Sequence, residues 1–109
     1  VFHLTLNRVR DKVRITEGNE SITLVVNGEA ARMVSALNNA RNILSGITAD
    51  STDSARFEAV LIFATAIFGR EQAKKLMEFY NNDTLCVGDV CAKYFQERLS
   101  KLLSKAQKR

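Results

Sequence analysis

Apolar and polar residues alternate on both sides of Glu17-Gly18-Asn19-Glu20, and after Val26 the spacing changes abruptly to that of a helix; no other feature constrains the fold as much. Glycine accepts the positive φ that a two-residue hairpin connection demands, and asparagine tolerates it. With Gly18 and Asn19 as the loop, Glu17 faces Glu20, Ile15 faces Ile22 and Val13 faces Leu24. This register gathers apolar side chains on one face, which supports the hairpin independently of its turn. The facing carboxylates Glu17 and Glu20 are its one unfavourable pair. Upstream, Phe2, Leu4 and Leu6 share one parity and Val9, Val13 and Ile15 the other, so a turn or bulge is expected between Asn7 and Asp11. The region is therefore a β-hairpin or a three-stranded meander.

From Asn27, a possible N-cap, Ala30, Met33, Val34, Leu37, Ala40 and Leu44 form one helical stripe that Gly46 ends. Ser51 or Thr52 caps a second helix, Asp53 to Phe68, with Asp53 in its first turn and Gly69 at its end. That helix is apolar around most of its circumference and is expected to be the most buried element, with Phe57, Val60, Leu61, Ala64 and Phe68 at the centre of the core. Arg70 to Tyr80 forms a shorter helix that Asn81-Asn82-Asp83 breaks. Beyond Thr84, Leu85, Gly88, Ala92, Phe95, Leu99, Leu102 and Ala106 keep a strict three-four spacing, a seam able to pack on the chain's own core or on a second chain. Gly88 within it suggests a close helix approach. The reading is a single α+β domain over residues 1–109: a hairpin region at 1–26, then about four helices at 27–109 ending in a basic tail.

Charge is distributed unevenly. All 12 acids precede residue 98, whereas Arg98, Lys101, Lys105, Lys108 and Arg109 give the last twelve residues a charge of +5, leaving −1 on the rest. The net +4 thus describes a basic tail more than a basic domain. The longest nearly apolar run, Ala59 to Phe68, is about half of what a membrane-spanning helix needs. No leader-like segment opens the chain, so a cytoplasmic protein is expected. Cys86 and Cys91, five apart, match neither a redox pair nor a zinc knuckle and read as free thiols.

Nothing in the sequence assembles a catalytic site. His3 is the one histidine, on the polar parity of the first strand, and no Walker loop, nucleophile elbow, dinucleotide fingerprint or zinc-protease motif occurs. A non-enzymatic protein without metal or cofactor is expected. Two groups of residues suit binding instead. Arg8, Arg10, Lys12 and Arg14 share strand parity and line one face of a β-ribbon, where they reach phosphates but have no interleaved aromatic residue to stack bases. Phe79 and Tyr80 are adjacent on a helix and so point different ways; one of them covers the core edge or meets a partner.

The stretch Ile67-Phe68-Gly69-Arg70-Glu71-Gln72-Ala73-Lys74-Lys75-Leu76-Met77-Glu78-Phe79-Tyr80-Asn81-Asn82-Asp83 follows an alanine-rich apolar helix and precedes Tyr94-Phe95-Gln96-Glu97-Arg98-Leu99. In this pattern the chain resembles the tail assembly chaperones of long-tailed, siphovirus-type phages and prophages. The resemblance covers about residues 53–109 well and the earlier part more loosely. It implies a non-enzymatic role: binding a long helical tape-measure protein in the host cytoplasm, keeping it soluble while the tail tube polymerises, often as an oligomer. On that reading Phe79, Tyr80, Leu99 and Leu102 are the expected client contacts. The alternative is a small basic regulatory protein that binds nucleic acid, or an enzyme of nucleic acid, through Arg8, Arg10, Lys12 and Arg14.

Overall fold

The computed structural model of the chain describes residues 1–2 and 7–107. Two antiparallel strands, β1 (Arg8–Glu17) and β2 (Glu20–Glu29), are followed by α1 (Ala30–Ser45), α2 (Asp53–Phe68), α3 (Arg70–Phe79) and α4 (Thr84–Tyr94). A π-helical turn, Phe95–Leu99, runs without a break from α4 into α5 (Ser100–Gln107), so α4 and α5 are two halves of one long helix. The architecture is α+β, a hairpin followed by four helices.

The hairpin keeps the expected register, with Ile15 opposite Ile22, Val13 opposite Leu24 and Glu17 opposite Glu20. Gly18 takes φ 61° and Asn19 stays at negative φ, the pattern of a type II′ turn, in which only the first loop residue needs the left-handed region. Val9, Ile15, Leu24 and Val26 are buried on the inner face. Pairing runs unbroken from Arg8 to Glu17, so no bulge interrupts β1. Among the described residues the sheet has two strands, a hairpin and not a meander. Phe2 lies outside both strands and is exposed. The expected alternation at Leu4 and Leu6, and the placement of His3, fall outside the described residues.

The helical region starts later than expected. Pairing with Arg8 and Arg10 carries β2 through Asn27 to Glu29, and the side-chain Oδ1 of Asn27 accepts from the Arg8 guanidinium at 3.0 and 3.2 Å. The cap of α1 is Glu29, whose carboxylate accepts from the backbone N–H of Ala31 and Arg32 at 3.0 and 3.1 Å. α2 has the expected bounds; the Thr52 hydroxyl accepts from Ala55 N–H, and Gly69, at φ 83°, ends it. Asn81 and Asn82 both lie in the left-handed region, which breaks the chain direction, and Asp83 then caps α4.

Two expectations about packing are corrected. The largest fully buried side chains are Leu24, Val26, Leu76, Val87, Cys91 and Leu99, so the core centre lies where the hairpin, α3 and α4 converge on α2. α2 contributes Ala59, Val60, Ala64, Ile67 and Phe68, whereas Phe57 and Leu61 are only partly buried at its border. The three-four seam is not continuous either. Val87 and Cys91 face the core with Tyr94, the next inward position is Leu99, and Leu103 follows it; Leu85 is 78% exposed and Leu102 partly buried. A π-turn closes over five residues, so Tyr94 and Leu99 share a face that strict α-helical spacing would deny them. Gly88 faces Val60 with room for a methyl group, a less intimate approach than the seam implies.

Candidate functional site

The expected client contacts do not form one surface. Leu99 is fully buried, because the π-turn rotates it into the core. Leu102, Phe79 and Tyr80 pack on the core border. The rings of Phe79 and Tyr80 meet edge-on with centroids 5.1 Å apart, and the Tyr80 hydroxyl donates to Glu17 at 3.4 Å. Burial, with the Glu17 carboxylate beside it, raises the Tyr80 pKa. Tyr80 therefore joins the end of α3 to the hairpin tip, with Phe79 packed against its ring.

An uncovered apolar surface lies elsewhere, in a groove of about 660 Å³ between α1 and the α4–α5 helix. Val34, Leu37 and Leu44 form one wall, Phe95 and Leu103 the other, and Phe63 of α2 lies between them. Arg41 stands on the first wall and Ser100, Ser104 and Gln107 on the second. The α1 lining extends from Val34 to Ser45, about 16 Å of helix, or three turns. From the sequence the α1 positions Val34, Leu37 and Leu44 read as ordinary stripe residues. Phe95 reaches the groove from the π-turn whose last residue, Leu99, enters the core.

The second surface is the outer face of the hairpin. Arg8, Arg10, Lys12 and Arg14 are all exposed there, as their shared parity requires. Asp11, between them in sequence, points the other way. Its carboxylate accepts from the Arg98 guanidinium at 2.7 and 3.1 Å and from the Tyr94 hydroxyl at 2.8 Å. The Tyr94 ring also stacks on Phe68, with centroids 5.8 Å apart. The Arg98 hydrogen bond, more than any other contact, holds the Asp11 pKa below the usual carboxylate range. Burial and the bond to Asp11 push the Tyr94 hydroxyl upward. Arg98, one of the tail cations, is thus a clasp between β1 and the long helix. The sequence carried a signal for it: Asp11 has the parity of Val9 and Val13, and an acid at an inward position needs a partner.

The thiols have no such arrangement. Both are free; burial pushes Cys91 up to about 12, and the Asp83 carboxylate that accepts from Cys86 raises that thiol too. Neither is poised as a nucleophile at neutral pH. Among the described residues no three His, Cys, Asp or Glu side chains converge as a metal site would require, and no helix is long and apolar enough to cross a membrane. No protein-family model, curated protein or solved structure matches the chain.

Proposed function

We propose that this chain is a non-enzymatic binding protein, working in the cytoplasm, that holds one apolar face of a client's helix in the groove between α1 and α5. The observation that carries this reading is the groove itself, where Leu37, Leu44, Phe63 and Leu103 line a channel that the described residues leave open. A helix laid in such a groove anchors side chains at i, i+3 or i+4 and i+7, each worth about 1.5–3 kcal/mol when fully buried. Polar rims of Asn38, Gln96 and Ser104 leave the client's other face in water. The client class follows from the resemblance to tail assembly chaperones: a long, helical, tape-measure-like protein, held soluble until it is used.

Co-expression with the long helical product of a neighbouring gene tests the proposal. Ser104 is exposed on the groove wall, so Ser104→Trp fills the channel without disturbing the core. Co-purification is expected to fall at least about tenfold in Ser104→Trp, a loss of roughly 1.4 kcal/mol, and to be unchanged in Lys12→Ser. Undiminished recovery with Ser104→Trp would sink the groove as the client site. Dimers that Ser104→Trp dissociates would also sink it, by assigning the groove to a second copy.

A further inference from the structure

We propose that the outer face of the β1–β2 ribbon binds the phosphate backbone of double-stranded DNA, at a site that shares no residue with the groove. Arg8, Arg10, Lys12 and Arg14 project from one face at intervals of about 6.7 Å, a row about 20 Å long. The folded hairpin makes that row more uniformly positive than its sequence. Of the hairpin's acids, Asp11, Glu17 and Glu20 have the inward parity, and Asp11 is already paired with Arg98. Glu29 alone has the outward parity, and its carboxylate is engaged by the first amides of α1. Four cations are left on the face with no free carboxylate among them. Arg98–Asp11 is the one ion pair among the described residues, so none of the four is neutralised within the fold.

The neighbouring strand adds hydrogen-bonding groups. Ser21, Thr23 and Asn27 lie opposite Thr16, Arg14 and Arg10 on the same face. Asn27 holds the Arg8 guanidinium, and Ser21 accepts from Arg14 at 3.4 Å, so two of the cations are oriented before any ligand arrives. A two-stranded ribbon fits the major groove of B-form DNA, about 12 Å wide. A single strand is a poorer match, because the face carries no aromatic ring on which bases could stack. A lipid surface is poorer too: the face has one large apolar side chain, Val25, and interfacial binding needs an apolar face to insert.

Counterion release gives the test its numbers. Fluorescence anisotropy of the full chain with a labelled duplex of arbitrary sequence, about 20 base pairs long, should show log K falling against log salt with a slope near −3.6 if four phosphates are neutralised. Between about 50 and 150 mM salt the affinity should then drop about fifty-fold. In the Arg10→Ser, Lys12→Ser double variant the slope should fall to about −1.8 and the same change of salt should cost about sevenfold. Both positions are exposed, and far-UV circular dichroism verifies that the variant is folded. Ser104→Trp should leave DNA binding unchanged. No binding at the lowest salt overturns the proposal. So does an unaltered slope in the double variant, which would transfer the activity to tail cations such as Lys101 and Lys105. Tighter binding to a single strand of equal length, or to anionic vesicles, overturns it as well.

Discussion

β2 and α1 are consecutive in the chain and meet the helical body in opposite ways. Leu24 and Val26 of β2 retain no exposed surface, and the outer backbone edge of β2 is covered at Val25: the Gln72 side chain of α3 accepts from Val25 N–H at 2.7 Å and donates to the Val25 carbonyl. α1 buries Ala30, Met33 and Ala40 but turns Leu37 and Leu44 to a groove that no described residue fills. A strand leaves its apolar face and its edge separately in need of cover, and this fold buries the face and covers the edge at Val25. A helix satisfies its own backbone, so an apolar flank left open costs only side-chain hydration and can be kept for a partner.

Core truncation should separate the two regions most sharply. Leu24→Ala is expected to lower unfolding stability by about 2–5 kcal/mol, because it empties a fully buried site. Leu37→Ala should cost about 1 kcal/mol or less, measured by denaturant unfolding; equal losses would mean that the groove is core. Next in size, Gln72→Ala should cost about 1 kcal/mol by leaving the Val25 N–H and carbonyl to solvent. Unchanged stability would show that this edge needs no cover.

Acid and alkali act on the clasp that holds β1 to the long helix. Asp11 has a lowered folded pKa, so its contribution is present above the ordinary value near 3.9 and is lost as pH falls through the folded value. Asp11→Asn should therefore lose less stability than the parent between about pH 5 and 2. Tyr94 has a raised folded pKa, so its contribution is lost as pH rises beyond the ordinary value near 10. Thermal melts across both ranges check these signs, and a parent acid limb no steeper than that of Asp11→Asn would remove the clasp from the account. The smallest effect belongs to Ser104→Trp, expected to change stability within about 0.5 kcal/mol because the site is exposed.

The hairpin register and both ends of α2 were legible in the sequence because each rests on local chemistry: a Gly at positive φ, a Thr cap, side-chain parity. The exposure of Arg8, Arg10, Lys12 and Arg14 followed from the same parity. The start of α1 was misplaced by two residues because Asn27, a good cap by composition, was already committed to strand pairing with Arg10. The seam beyond Thr84 was misread for a different reason. A three-four count assumes 3.6 residues per turn throughout, and the π-turn adds a residue that moves Leu99 inward and leaves Leu85 outside.

Elements whose hydrogen bonds close within a few residues, or across a two-residue turn, were thus determined by the sequence itself. Three features were decided only when distant segments met: the pairing of Asp11 with Arg98, the amide of Gln72 on the edge of β2, and the groove between α1 and α5. Each joins residues tens of positions apart, so its partner is selected by packing geometry, which no local spacing encodes.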